Sequence, residues 1–98
     1  MRRGEIRWYL FAAPDKRRPV LLLTRDEVIV VPATRTIRGI GTELVLTTDD
    51  GMPTVCALNF DHISLAHRAR LGSIVAMLPE GRWAEAERAL LLACGFAA

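Results

Sequence analysis

The residues of this chain best suited to chemistry are arginines and hydroxyls crowded at the ends of two short apolar runs. Val20 to Leu23 and Val28 to Val31 are aliphatic or β-branched, too short for helices, and joined by the polar link Thr24-Arg25-Asp26-Glu27; the pattern predicts a β-hairpin. Arg17-Arg18-Pro19 enters the first run and Pro32-Ala33-Thr34-Arg35-Thr36 leaves the second. In an antiparallel hairpin those ends meet, which sets Arg18 beside Thr34 with Arg35 and Arg38 nearby. A guanidinium next to a hydroxyl suits a phosphate, because arginine offers a planar fork of donors with a permanent charge. Taken alone, Arg-Arg-Pro is unspecific, and a solvated charge is the simpler account of Arg18. Thr34 and Thr36 share a face of an extended segment while Arg35 points away, and a threonine there is ordinarily just a good strand former.

Asp61 is the best-placed acid, since it follows one apolar strand and precedes another, although an Asx-turn is the commoner role for such a residue. His62 and His67 are of the residue type suited to acid or base work. In extended chain, however, His62 and Asp61 point to opposite faces, and His67 beside Arg68 reads as a surface turn residue. No nucleotide-binding loop, zinc spacing or nucleophile elbow is present. Met52, Met77 and the aromatics read as core.

These residues need a small β scaffold to position them. Ninety-eight residues suit one domain, residues 1–98, with a modest core that dimerisation would help. Glu5 to Phe11 alternates as a first strand, with Ile6, Trp8 and Leu10 on one side. After the hairpin come an exposed loop from Thr36 to Gly41, strands at Thr42–Thr47 and Thr54–Asn59 with the Asp49-Asp50-Gly51 turn between them, and a segment Phe60–Leu65 that continues the strand or bends off it. Arg68 to Gly72 reads as a turn and Ser73–Leu78 as the last strand. Pro79 fits the first turn of a helix carrying Trp83, Glu87, Leu90, Leu91 and Cys94 at helical spacing, with Gly95 as its C′ residue. Six or so strands and one C-terminal helix make a closed or half-closed barrel the natural architecture.

The net charge of +2 is unevenly spread. Through Arg38, nine basic residues face four acidic ones, and the remainder of the chain is net negative by three. All the basic residues but Lys16 are arginine, which favours bidentate phosphate contacts, although codon bias in a GC-rich genome also produces it. Cys56 and Cys94 lie in apolar contexts without CxxC spacing and read as buried free thiols. No run is long enough to span a bilayer, and the N-terminus lacks the features of a signal peptide, which places the protein in the cytoplasm.

Several motifs in register give the chain a resemblance to the MazF/PemK family of toxin endoribonucleases over nearly its full length. They are Arg2 to Trp8, Arg18 to Leu23, Val31 to Gly39, Gly51-Met52-Pro53, Cys56 to Ile63, Arg70-Leu71-Gly72 and the closing helix. The resemblance implies a mainly β fold with a C-terminal helix, an SH3-like barrel of the MazF/PemK (CcdB-like) type. It also implies a homodimer that cuts single-stranded RNA at short sequences without a metal or cofactor, held inactive by a cognate antitoxin whose flexible acidic segment occupies the RNA groove. Carried over by residue, the catalytic arginine falls on Arg18, the catalytic threonine on Thr34, and an acid implicated in some members on Asp61. Arg17, Arg35, Thr36, Arg38 and Asn59 are the RNA-binding candidates. The links Ala12–Lys16 and Thr24–Glu27 depart from the family pattern: the first lacks a Gly-x-Glu-Gln stretch and the second is several residues short. A CcdB-like gyrase poison is the competing reading, though the ending Ala93-Cys94-Gly95-Phe96-Ala97-Ala98 has no tryptophan tail; a catalytically impaired RNA binder is another.

Overall fold

The computed structural model describes residues 2–11, 17–24 and 29–96. The links at 12–16 and 25–27, and Val28 at the expected start of the second hairpin strand, lie outside the described residues. Among those described, β1 spans Glu5–Leu10, β2 Arg17–Leu22, β3 Ile29–Thr34, β4 Glu43–Leu46, β5 Cys56–Asn59, β6 Ser64–Leu65 and β7 Leu71–Met77, and helix α1 spans Trp83–Ala93. The pairings are antiparallel, in the order β4-β5-β3-β2-β1-β7, with β6 also against β3. Among the described residues hydrogen bonds do not close the sheet, and β4 and β7 are its edges. It curls into a half-closed barrel, so that a Cβ added at Gly51, beyond β4, would stand 3.4 Å from Ala76 Cβ on β7.

Strict alternation sorts the side chains into two cores, because successive Cβ atoms leave opposite faces of a strand. Ile6, Leu21, Val31, Ala33, Leu44, Leu46, Leu58 and Phe60 fill the concave face, under α1. Tyr9, Val20, Leu22 and Val30 form a smaller cluster on the other face, covered by Phe11, Ala66 and Leu71. The hairpin strands are thus buried on both sides, which is why they read as continuous apolar runs.

The structure settles one point the sequence left open and differs from the sequence expectation at two others. The segment after β5 bends away as a 3-10 turn, Phe60–His62, before the two residues of β6. Asn59 is the cause: its Oδ1 accepts the Asp61 N–H at 3.0 Å, capping the turn and diverting the chain. β7 begins at Leu71, so Arg70 is the last residue of a preceding 3-10 turn, Arg68–Arg70. In α1 the residues buried most deeply are Ala86 and Ala89, flanked by Trp83, Leu90 and Ala93, whereas Leu91 and Cys94 are exposed. Alanines let the helix lie close on the sheet, a signal that a count of large apolar residues misses.

Pro79 precedes a 3-10 turn, Glu80–Arg82, that leads into α1. From this turn Arg82 fastens the helix to the barrel: Nη2 donates to the Val45 carbonyl at 2.7 Å, Nη1 to both oxygens of Asp50 at 2.8 Å, and Nε to Glu85. The helix ends at Gly95, φ +81°, with Phe96 N–H on the Leu91 carbonyl and Gly95 N–H on Leu92, the two bonds of a Schellman motif. Among the described residues no helix is long and apolar enough to cross a membrane.

Candidate active site

The β2–β3 register pairs Val20 with Pro32, Leu21 with Val31 and Leu22 with Val30. Carried two residues further, it sets Arg18 opposite Thr34. The ladder itself stops at Val20–Pro32, since neither Pro19 nor Pro32 has an N–H to extend it. Beyond this point β3 bonds instead to β5, through Ala33–Leu58 and Thr34–Ala57. A groove of about 550 Å3 opens where the ladder stops. Its walls are Trp8 from β1, Arg17, Arg18 and Pro19 from β2, Ala33 to Thr36 at the end of β3, and Met52, Pro53, Thr54 and Cys56 on the approach to β5. Among the described residues the lining thus holds three arginines and no carboxylate.

Within the groove the polar groups are set for an anion. Thr34 Oγ1 accepts the Thr36 N–H at 3.1 Å, which orients the hydroxyl and leaves its hydrogen for another acceptor. Arg18 and Arg35 are exposed, and among the described residues neither makes an ion pair. The Arg17 guanidinium lies over the Trp8 ring, 4.8 Å from its centroid, a cation–π contact that holds it at the groove wall. Cys56 lines the floor 5% exposed; burial, then the negative charge of Asp50, pushes its thiol pKa up, so it stays protonated at neutral pH.

The sequence candidates divide between this groove and the far end of β5. Arg17, Arg18, Thr34, Arg35 and Thr36 come together in the groove. Asn59 and Asp61 do not line it: β5 enters at Cys56, beside Thr34, and runs away, carrying them to its other end. There Asn59, 7% exposed, is occupied in capping its turn, and Asp61 Oδ2 accepts the Thr42 hydroxyl at 2.6 Å. Arg38 is also outside the lining, exposed on the loop before β4, where its N–H and that of Gly39 donate to Glu43 Oε1 at 2.9 and 3.0 Å. His62 is exposed at the end of the Phe60–His62 turn, and the His67 N–H donates to the Tyr9 hydroxyl at 3.0 Å.

Sequence reasoning missed Trp8 and the Met52–Cys56 approach. Trp8 read as core, yet it is only half-buried, because the concave core stops at Ile6 and the next inward position faces the groove. Its register partner Pro19, next to Arg18, is the signal that would have found it. Met52 does pack in the core, 3% exposed, and presents its remaining surface to the groove.

Residues 2–94 match the family described as PemK-like, MazF-like toxin of type II toxin–antitoxin system. The probable endoribonuclease MazF2 of Mycobacterium tuberculosis is 40% identical over 103 residues, covering 97% of this chain and 99% of that protein. The probable endoribonuclease MazF5 of the same species is 41% identical over 69 residues, 62% of each chain. Among solved structures, the Mycobacterium tuberculosis toxin MazF-mt6 superposes with a TM-score of 0.85 at 26% identity, over 96% of this chain and 99% of that one. A MazE-MazF crystal structure (Form-II) from Deinococcus radiodurans shares the fold, with a TM-score of 0.80 at 23% identity over 99% and 97% of the two chains. On this near full-length match, the chain belongs to the PemK-like, MazF-like toxins of type II toxin–antitoxin systems.

Proposed function

We propose that the protein is the toxin of a type II toxin–antitoxin pair and cuts single-stranded RNA without a metal ion, with Arg18 and Thr34 as its catalytic pair. The observation that carries this reading is the convergence of three arginines and the Thr34 hydroxyl on one groove that, among the described residues, no carboxylate lines. Such a groove draws in a polyanion and repels acidic ligands far less than a mixed surface does. Endoribonuclease is also the activity named for the relatives in Mycobacterium tuberculosis.

In the reaction, the 2′-oxygen bonds to the adjacent phosphorus as it loses its proton, and the P–O5′ bond breaks as the 5′-oxygen takes one up. The products are a 2′,3′-cyclic phosphate and a 5′-hydroxyl, and no water is consumed. Charge builds on the phosphoryl oxygens of the pentacoordinate state, and preorganised donors there lower the barrier most. Arg18 supplies a permanent positive charge on a planar fork of donors, and the Thr34 hydroxyl donates to a phosphoryl oxygen. Arg17, Arg35 and Thr36 hold the flanking backbone. Asp61, bonded to Thr42 away from the groove, is assigned no step.

The protein works in the cytoplasm as a homodimer restrained by a cognate antitoxin. Solved structures of the same fold include an endoribonuclease in complex with its cognate antitoxin from a mycobacterial species, TM-score 0.84 at 20% identity. An arginine-rich groove suits an acidic antitoxin segment as it suits RNA. The deciding experiment is incubation with a long single-stranded RNA in excess EDTA, with cut sites mapped and end groups identified. Cuts ending in cyclic phosphate and 5′-hydroxyl are expected; no EDTA-resistant cleavage across diverse RNAs would sink the reading.

A further inference from the structure

Beside the groove lies a second cleft of about 330 Å3 that shares Trp8 and Arg17 with it. Its opposite wall is the run Arg70 to Ser73 at the start of β7, held to β1 by the Tyr9–Leu71 pair. Here too, among the described residues, no carboxylate lines the space. The Trp8–Arg17 pair stands where the two spaces meet, the guanidinium carbon over the indole ring at 4.8 Å from its centroid. Gly72 lets β7 run close to that pair: a Cβ on it would be 3.3 Å from Trp8 Cβ. Arg70 Nη1 donates to the Leu10 carbonyl at 3.2 Å, which ties its guanidinium to the cleft wall.

Planar groups beside fixed positive charge are what a single-stranded nucleotide needs, since its base has two faces to stack and its phosphate needs a cation. The geometry points to this cleft as the seat of a nucleotide flanking the one that is cut, its base against the Trp8–Arg17 pair and its phosphate at Arg70. The inference rests on the reading of the first groove as the seat of the scissile phosphate. It makes Trp8, Arg17 and Arg70 determinants of how long an RNA must be, and of which base is preferred beside the cut. Arg17, lining both spaces, couples them.

The test uses a nested set of RNA oligonucleotides around one mapped cut, lengthened a nucleotide at a time on either side. Each is read twice: kcat/KM for cleavage, and equilibrium binding of the same sequence with a 2′-O-methyl group at the cut, which blocks attack. In the parent protein, adding the nucleotide that enters the cleft raises both quantities about tenfold, the scale of one stacked base. Ser73→Trp, which fills the cleft from an exposed strand position, and Arg70→Ala abolish that step. Arg88→Ala, which removes a charge on α1, keeps it. A step of equal size in parent, Ser73→Trp and Arg70→Ala, or no step on either side in the parent, would overturn the inference. A binding step without cleavage of any RNA would instead refute the nuclease reading and leave the nucleotide site standing. Thermal melts of each variant guard against misfolding; if Ser73→Trp does not fold, Arg70→Ala carries the decision.

Discussion

Replacing Arg18 tests the catalytic assignment most directly, because the structure separates its chemical role from any structural one. The side chain is exposed and makes no ion pair among the described residues, so Arg18→Ala leaves stability within about 0.5 kcal/mol of the parent. The reaction loses one preorganised donor from a charge-developing site, which lowers kcat by roughly 10²- to 10³-fold, or about 3–4 kcal/mol. Two arginines still line the groove, so RNA stays bound: KM rises less than about tenfold, and the salt dependence of binding weakens by about one phosphate contact. Arg18→Lys keeps the charge but loses the planar fork, and recovers only part of the rate. The assay is a saturation curve on a fluorogenic RNA at two salt concentrations, with a urea titration of each variant. Unchanged kcat in Arg18→Ala would refute the assignment. So would a loss confined to KM, since Arg18 would then only hold the strand.

Three further outcomes follow from the geometry. Thr34→Val keeps the shape and β-branching of the side chain but removes its hydroxyl, and lowers kcat by about 10-fold or more with an unchanged melting temperature, whereas Thr34→Ser retains most activity; equal rates in Val and Ser variants would exclude the hydroxyl. Glu5 is held below the ordinary carboxylate range chiefly by the Arg7 guanidinium; at Asp50 burial opposes ionisation, but the Thr47 N–H and Arg82 outweigh it. Both give up protons more readily folded than unfolded. Their stabilisation is therefore complete above about pH 4.5 and is lost as pH falls through the depressed folded values, a slope that urea titrations detect and that Asp50→Asn makes shallower at a cost of about 2 kcal/mol near neutral pH. Gly95→Ala forces a Cβ into left-handed backbone at φ +81° and costs about 1 kcal/mol by the same measurement, without touching kcat.

Much of this molecule is legible locally. The hairpin announced itself because β2 and β3 are buried on both faces and so contain apolar runs that no surface strand would carry. The placing of Arg18 beside Thr34 followed from hairpin symmetry, since antiparallel register brings the entry of one strand to the exit of the next, whereas their catalytic roles came only from the family resemblance. The Gly95 helix stop and the Asp49-Asp50-Gly51 turn were legible for the same reason: each is a backbone conformation dictated by a few adjacent residues, as the φ of +89° at Gly51 illustrates.

What needed the tertiary structure is whatever depends on how far the sheet curls. Asp61 and Asn59 look adjacent to the hairpin chemistry in a linear reading, yet the direction of β5 carries them to the opposite end, and a hydrogen bond from the Asp61 N–H to the Asn59 side chain turns the chain there. Trp8, indistinguishable from a core aromatic by type and spacing, becomes a groove wall because the concave core ends one position earlier. The Ala86–Ala89 face of α1 and the anchor from Arg82 to Asp50 and Val45 are likewise long-range matters of fit. Residue type and spacing determine local conformation and the chemistry on offer; only the closure of a curved sheet decides which of those groups face one another.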